Sequence, residues 1–331
     1  MGTQTATAEQ RSERFTVTPA QYVRFAQAGL FALSVIVATG AAVRLSGSGL
    51  GCPTWPKCYG NLYPPLQSHA VIEFGNRTLS VPVVIAAGLA WVAALRRRPY
   101  RRDLVWISAL LPLGVVAQAV LGGFTVKGAL DYGWVMAHFC LSMLILVAAV
   151  LLVWRAKHER GWTPEKRVDS TMVLLGRFLA GMATITIVAG TAATAAGPHA
   201  GGSPGQKINR LSFDGTGTMD FVIHRHAEIA FVFAVLALAT WWQARKRDVS
   251  AQLMRSLTTL VLLLAAQGVV GMTQYFLELP TELVWLHVCL ATAAWVMALW
   301  TVCITETHAP RDEAAADEHG IGAPTGQAAG V

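Results

Sequence analysis

Eight runs of apolar residues divide this chain, near positions 25–43, 71–95, 104–124, 134–154, 172–195, 220–242, 252–272 and 282–304. A helix needs about 20 apolar residues to cross the hydrocarbon of a bilayer. The pattern therefore predicts an all-α polytopic membrane protein with eight transmembrane helices. Between the runs lie stretches rich in Gly, Pro, Ser and charge, which break helices and suit loops. The longest, within 44–70, contains GLGCPTWPKCYG and is long enough to form a lid.

The polar residues that interrupt the apolar runs recur. IEFGNRTLS (72–80) has a partner in VIHRHAEIA (222–230), and WVMAHFCL (134–141) has one in LVWLHVCL (283–290). Gly40 to Gly47 and Gly190 to Gly197 share a spacing of 7, Gln118 to His138 and Gln267 to His287 one of 20, and Cys140 and Cys289 each follow their His by two. Matched types at matched spacings indicate a tandem duplication, parallel because four spans preserve orientation. The expected layout is two pseudo-symmetric four-helix bundles, 25–154 and 172–304, joined by a linker at 155–171. An amino-terminal segment (1–24) and a polar, disordered tail (305–331) flank them. Aligning the halves on their Arg residues pairs Asn76–Arg77 with His224–Arg225, and Glu73 with Phe221.

Composition agrees: 54% of the 331 residues are hydrophobic and 14% charged. The net charge of +7 could suggest nucleic acid, but its placement excludes that reading. Arg96, Arg97, Arg98, Arg101 and Arg102 follow the second run, Arg155, Lys157, Arg160, Lys166 and Arg167 the fourth, and Arg245, Lys246 and Arg247 the sixth. By the positive-inside rule those loops and both termini are cytoplasmic, in a multi-pass protein of the cell membrane. Cys52 and Cys58 then fall in an outward loop. A disulfide there is favoured over a metal site, since no further Cys or His completes a zinc set.

An imidazole at the mouth of a membrane helix is costly unless something binds it. Two facing histidines in a four-helix bundle make an axial haem site, so His224 and His287 are candidate ligands, with Arg225 placed for a haem carboxylate. A hydrogen bond between helices is the plainer role for any one of them. His226, two positions on from His224, points elsewhere on the helix and reads as structural, and His69 and His199 read as boundary residues. In the first half His138 faces Asn76 and Arg77 instead of a second His. Glu73 lies one turn from Asn76, either as a proton-exchanging carboxylate or as a static partner of Arg77.

TGAAVRLSGSGLGCPTWPKCYG, VIEFGNR, AQAVLGGFTV and AHFCL, followed by IHR, AQGVVG and LHVCL, resemble haem A synthase over residues 25–304. The resemblance implies oxidation of a methyl group of haem O to a formyl group, giving haem A for cytochrome oxidase. It implies haem b held by His224 and His287 in the second half. In the first half it implies haem O as substrate, with Glu73 as the essential carboxylate and a Cys52–Cys58 disulfide. One departure stands out: the family's Glu-x-x-His-Arg reads Glu73-Phe74-Gly75-Asn76-Arg77 here. Only His138 is carried over as the substrate's axial ligand, with Asn76 and Arg77 as substrate contacts. Membrane lipid and the enzyme that makes haem O are the expected partners, a homo-oligomer is left open, and nucleic acid is not expected. The competing class is a non-catalytic or quinone-linked di-haem electron carrier, which shares the histidines but has no need of Glu73.

Overall fold

In the computed structural model residues 16–213 and 217–309 are described. The expectations for residues 1–15 and for most of the tail lie outside them. Among the described residues there are eight long helices and no strand: α1 (Pro19–Leu45), α2 (Ser68–Arg96), α3 (Arg102–Lys127), α4 (Tyr132–Lys157), α5 (Ser170–Ala196), α6 (Thr218–Lys246), α7 (Ala251–Phe276) and α8 (Thr281–Thr307). All eight are long and apolar enough to cross a membrane. Large exposed side chains such as Trp106, Phe178, Phe231 and Leu262 fit a lipid-facing belt.

Local chemistry sets several helix starts. Thr18 caps α1 through a reciprocal capping box with Gln21, and Pro19 occupies the first helical turn. Asp131, Asp169 and Ser250 accept backbone N–H groups at the starts of α4, α5 and α7, satisfying donors that the first turn leaves free.

The helices close into two rings. α1 packs on α2 and α4, and α3 packs between α2 and α4; α5 packs on α6 and α8, with α7 between α6 and α8. α1 and α4 meet α8, and α4 also meets α5, so one core runs through both bundles. Indole N–H groups pin this seam: Trp285 donates to Ala38 O (2.9 Å) and Trp295 to Met143 O (3.0 Å). At the end that carries the disulfide, Gly49 N donates to Gly201 O (2.8 Å) and Arg44 to Thr194 O (2.8 Å). The arginine-rich loops gather at the opposite end, where Arg97 pairs with Glu159 and Arg101 with Asp103.

Burial fixes the register between the halves. In α2 Val83, Ala87, Ala90 and Ala94 are buried, and in α6 Phe233, Ala237, Thr240 and Ala244, all at one offset. Tyr22, Ala26 and Leu33 of α1 match Met172, Gly176 and Ala183 of α5 at that same offset. It pairs Gly40 with Gly190 and Asn76 with His226. The alignment expected from the Arg residues, Asn76 with His224 and Glu73 with Phe221, is therefore two positions out, because packing against the bundle and not the neighbouring charge sets a helix face.

Candidate functional site

The second half holds a pair of facing imidazoles, and the pair is His226 with His287. Their ring centroids lie 6.2 Å apart with planes at 73°. His226 rests on α5 at Gly190, where an added Cβ would meet its Cε1 at 3.0 Å; His287 rests on α7 at Gly271, at 3.2 Å. Only glycine lets the rings approach those helices so closely. The Nδ1 atoms of both rings are buried without a partner. Gln267 fixes α8 against α7 by donating to His287 O (3.0 Å). His224, expected as the ligand, sits on an exposed face with Nδ1 on Asp220 O (2.6 Å) and its ring 6.0 Å from Tyr275. The reason is helical: residues two apart point about 200° apart around the axis, and α6 turns the 226 position inward. Arg225 is exposed and pairs with Glu228 on its own helix.

The spacing of the pair suits a metal between them. Two imidazole–metal bonds of about 2 Å each, with the nitrogen-to-centroid distance of each ring, span roughly 6 Å. Glycine cradles, orphaned ring nitrogens and that separation together fit the axial positions of a flat macrocycle. Among the described residues no group of three or more His, Cys, Asp or Glu could hold a bare ion.

The first half repeats half of this arrangement. His138 rests on α3 at Gly122, with Cε1 3.4 Å from the position of an added Cβ, and its Nδ1 is buried without a partner. Gln118 donates to His138 O (2.9 Å) and to Ser142 Oγ (2.6 Å), matching Gln267. The position opposite, occupied by His226 in the second half, is Asn76, whose Oδ1 is buried and unpartnered. Gly40, the counterpart of Gly190, has nothing within 4 Å of where a Cβ would stand. One imidazole, one amide and open space thus replace two imidazoles.

Glu73 is 6% exposed and has both oxygens engaged. Oε2 accepts Cys52 N (2.6 Å) and Oε1 accepts the Arg77 guanidinium. Arg77 also donates to Cys52 O (2.9 Å) and Thr54 O (2.9 Å), so its donors point at the loop. Cys52 and Cys58 are joined as a disulfide. His69 is held by Ser48, Nδ1 to Oγ 2.9 Å, and His199 by Leu279 O, 2.7 Å. The seam contacts and the glycine cradles escape a reading of the sequence, although Gly122–His138 and Gly271–His287 share one spacing that could have flagged them.

Comparison with known proteins gives this arrangement a context. A family model, COX15-CtaA, described as cytochrome oxidase assembly protein, matches residues 24–71 and 66–299. Heme A synthase of Geobacillus kaustophilus is 34% identical over 140 residues, 41% of this chain and 42% of that protein. Heme A synthase of Shewanella oneidensis is 28% identical over 294 residues, 76% of this chain and 86% of that protein. Protoheme IX farnesyltransferase of Thermus thermophilus is 26% identical over 286 residues, 81% of this chain but 46% of that protein. The match to the Geobacillus relatives takes in about two fifths of their length.

Proposed function

The chain belongs to the COX15-CtaA family of cytochrome oxidase assembly proteins, and from that premise we propose that it is a haem A synthase, oxidising a methyl group of haem O to a formyl group. The observation that carries this reading is Glu73, a buried carboxylate bonded to the disulfide loop, for which the second half has no counterpart, since Ile223 stands at the matching position of α6. The second half offers two imidazoles 6.2 Å apart; the first offers one imidazole, His138, and on α2 the amide of Asn76 with the buried carboxylate of Glu73 one turn away. An electron carrier with two equivalent haems gives no reason for that difference.

In this reading His226 and His287 hold a resident haem b, which supplies one-electron redox chemistry when bound. Their burial at the glycines of α5 and α7 fixes both rings, and Gln267 sets the height of His287. The substrate, haem O, is held in the first half by His138, with Asn76 and open space at Gly40 on the other face. Glu73 serves the reacting methyl carbon, taking up protons or stabilising positive charge as hydrogen is removed. Arg77 holds Glu73 and the disulfide loop together. The Glu73–Arg77 pair, its carboxylate buried and its guanidinium half-buried, thus belongs to catalysis and to the loop's position at once.

We place the chain in the cell membrane, with both termini and the arginine-rich loops on the cytoplasmic side. The likeness to a protein named for transferring a farnesyl group to protohaem IX supports hand-off of substrate from such an enzyme. The test is chromatography of haems extracted from cells with and without the gene. Haem A present only with the gene, and haem O accumulating without it, is the expected result. Glu73→Gln is expected to lower haem A formation at least ~100-fold while the second-half haem spectrum stays unchanged. Unchanged haems in both strains would return the electron-carrier reading.

A further inference from the structure

The loop closed by Cys52 and Cys58 is tied down on two helices at once. On α2 it is held through Cys52 N on Glu73 Oε2 and through Arg77 on Cys52 O and Thr54 O. On α3 it is held by Trp55. A Cβ added at Gly123 would stand 3.0 Å from Trp55 Cδ2, 3.1 Å from Cε3 and 3.3 Å from Cε2. The six-membered ring of the indole therefore lies against bare α3 backbone. The next residue back along α3, Gly122, is the one on which the His138 ring rests.

The second half carries a side chain where this contact would form. The counterpart of Gly123 at the α3–α7 offset is Met272, which is 61% exposed, while Gly271 keeps its contact with His287. The indole is thus added on the side of the molecule where the second imidazole is missing. The loop does not need it as an anchor: a disulfide and three hydrogen bonds to α2 already fix residues 52–54. A flat ring set beside the His138 site, on a loop that also holds Glu73, is placed to meet a flat ligand.

We propose that Trp55 is a positioning residue, a rigid roof that stops the edge of the macrocycle held by His138 and sets the reacting methyl group at Glu73. This rests on the function proposed above and names the part of the site that fixes substrate orientation. Aromatic rings provide such contacts at small entropy cost and in defined offset geometry, and a misplacement of about 1 Å at a reacting centre can cost ~100-fold in rate.

The experiment uses the purified full-length protein in detergent, with haem O as substrate and three variants: Trp55→Ala, Trp55→Phe and Gly123→Ala. Three quantities are read: kcat and KM, the share of substrate stopped at the alcohol, the product of the first of the two two-electron oxidations that separate methyl from formyl, and Soret titration of added haem at the His138 site. Trp55→Ala is expected to lower kcat ~10- to 100-fold, raise the alcohol share and weaken the titration, with the second-half haem spectrum and the disulfide intact. Trp55→Phe should recover part of each. Gly123→Ala, which pushes the indole without touching the loop's hydrogen bonds, should impair the wild type but have little effect on top of Trp55→Ala. A merely structural loss would lower both oxidation stages together and leave their ratio alone. An unchanged alcohol share in Trp55→Ala, or an equal effect of Gly123→Ala in both backgrounds, overturns the proposal. Should the wild type fail to convert haem O while the titration still depends on Trp55, the activity reading falls and the roof stands.

Discussion

The two bundles share one plan and part company around one site. α2 and α6 bury the same face at the same register. Gln118 and Gln267 hold the carbonyls of His138 and His287 alike. Yet the residue opposite the imidazole that the halves share is Asn76 in one and His226 in the other, and the glycine behind it is open at Gly40 and filled at Gly190. A closed pair of imidazoles suits a group that stays bound and carries electrons. A single imidazole opposite an amide and free space suits a molecule that must enter, react and leave.

The most direct way to break the comparison is to delete the ligands claimed for the closed site. His226→Ala and His287→Ala should each abolish the low-spin haem spectrum of the purified protein. His224→Ala should leave it within measurement error, since that ring lies on an exposed face. Loss of the spectrum in His224→Ala with retention in His226→Ala would reverse the assignment.

A gain-of-likeness experiment comes next. Asn76→His places a ring where Gly40 leaves room, and should turn the first half into a copy of the second. With substrate bound, its spectrum is expected to move towards a six-coordinate low-spin form. No spectral shift would show that the 76 position does not face the macrocycle.

Smaller effects should follow from the glycines. Gly190→Ala puts a methyl group 3.0 Å from His226 Cε1 and should weaken haem retention or shift its spectrum. Gly40→Ala meets nothing within 4 Å, so the second-half haem should be unaffected and the helix slightly firmer, by up to ~1 kcal/mol. Equal responses at the two sites would count against the asymmetry.

The smallest expected effect lies at the arginine-rich end, where the linker between the halves is clasped by aromatic rings. His158 stacks against Trp154 and Trp162, with centroids 4.0 and 4.3 Å away, and Trp162 lies 5.7 Å from His308. Burial lowers the pKa of His158, helped by Lys157 and opposed by its hydrogen bond to Trp154. Burial likewise lowers that of His308, helped by His158 and Arg167 and opposed by the Lys166 backbone. Both rings bind protons more readily in the unfolded chain, so stability is complete above the ordinary histidine value of about 6.5 and declines as pH falls below it. Thermal unfolding in detergent should occur at lower temperature at pH 5.5 than at pH 7.5, and His308→Gln should flatten that dependence. A flat profile in the wild type would remove the clasp as a titrating element.

Eight helices, a parallel duplication and the residues worth watching were legible in the sequence, because apolar runs, turn residues and repeated spacings are local properties of a chain. His138, His287 and Glu73 stood out for the same reason: each is a costly polar group inside an apolar run, and an apolar run declares its exceptions. The choice between His224 and His226 was not local. Neighbouring charge and motif resemblance favoured the first, whereas the face of α6 that packs inward presents the second, and only the neighbouring helices determine that face. Trp55 was likewise visible as an aromatic residue in a loop, but its seat on Gly123 depends on a contact between segments far apart in sequence. The sequence determined how many helices form and which polar groups they must carry through the membrane. Which groups meet was decided by packing, since the rotation of each helix about its own axis is set by the surfaces it finds around it.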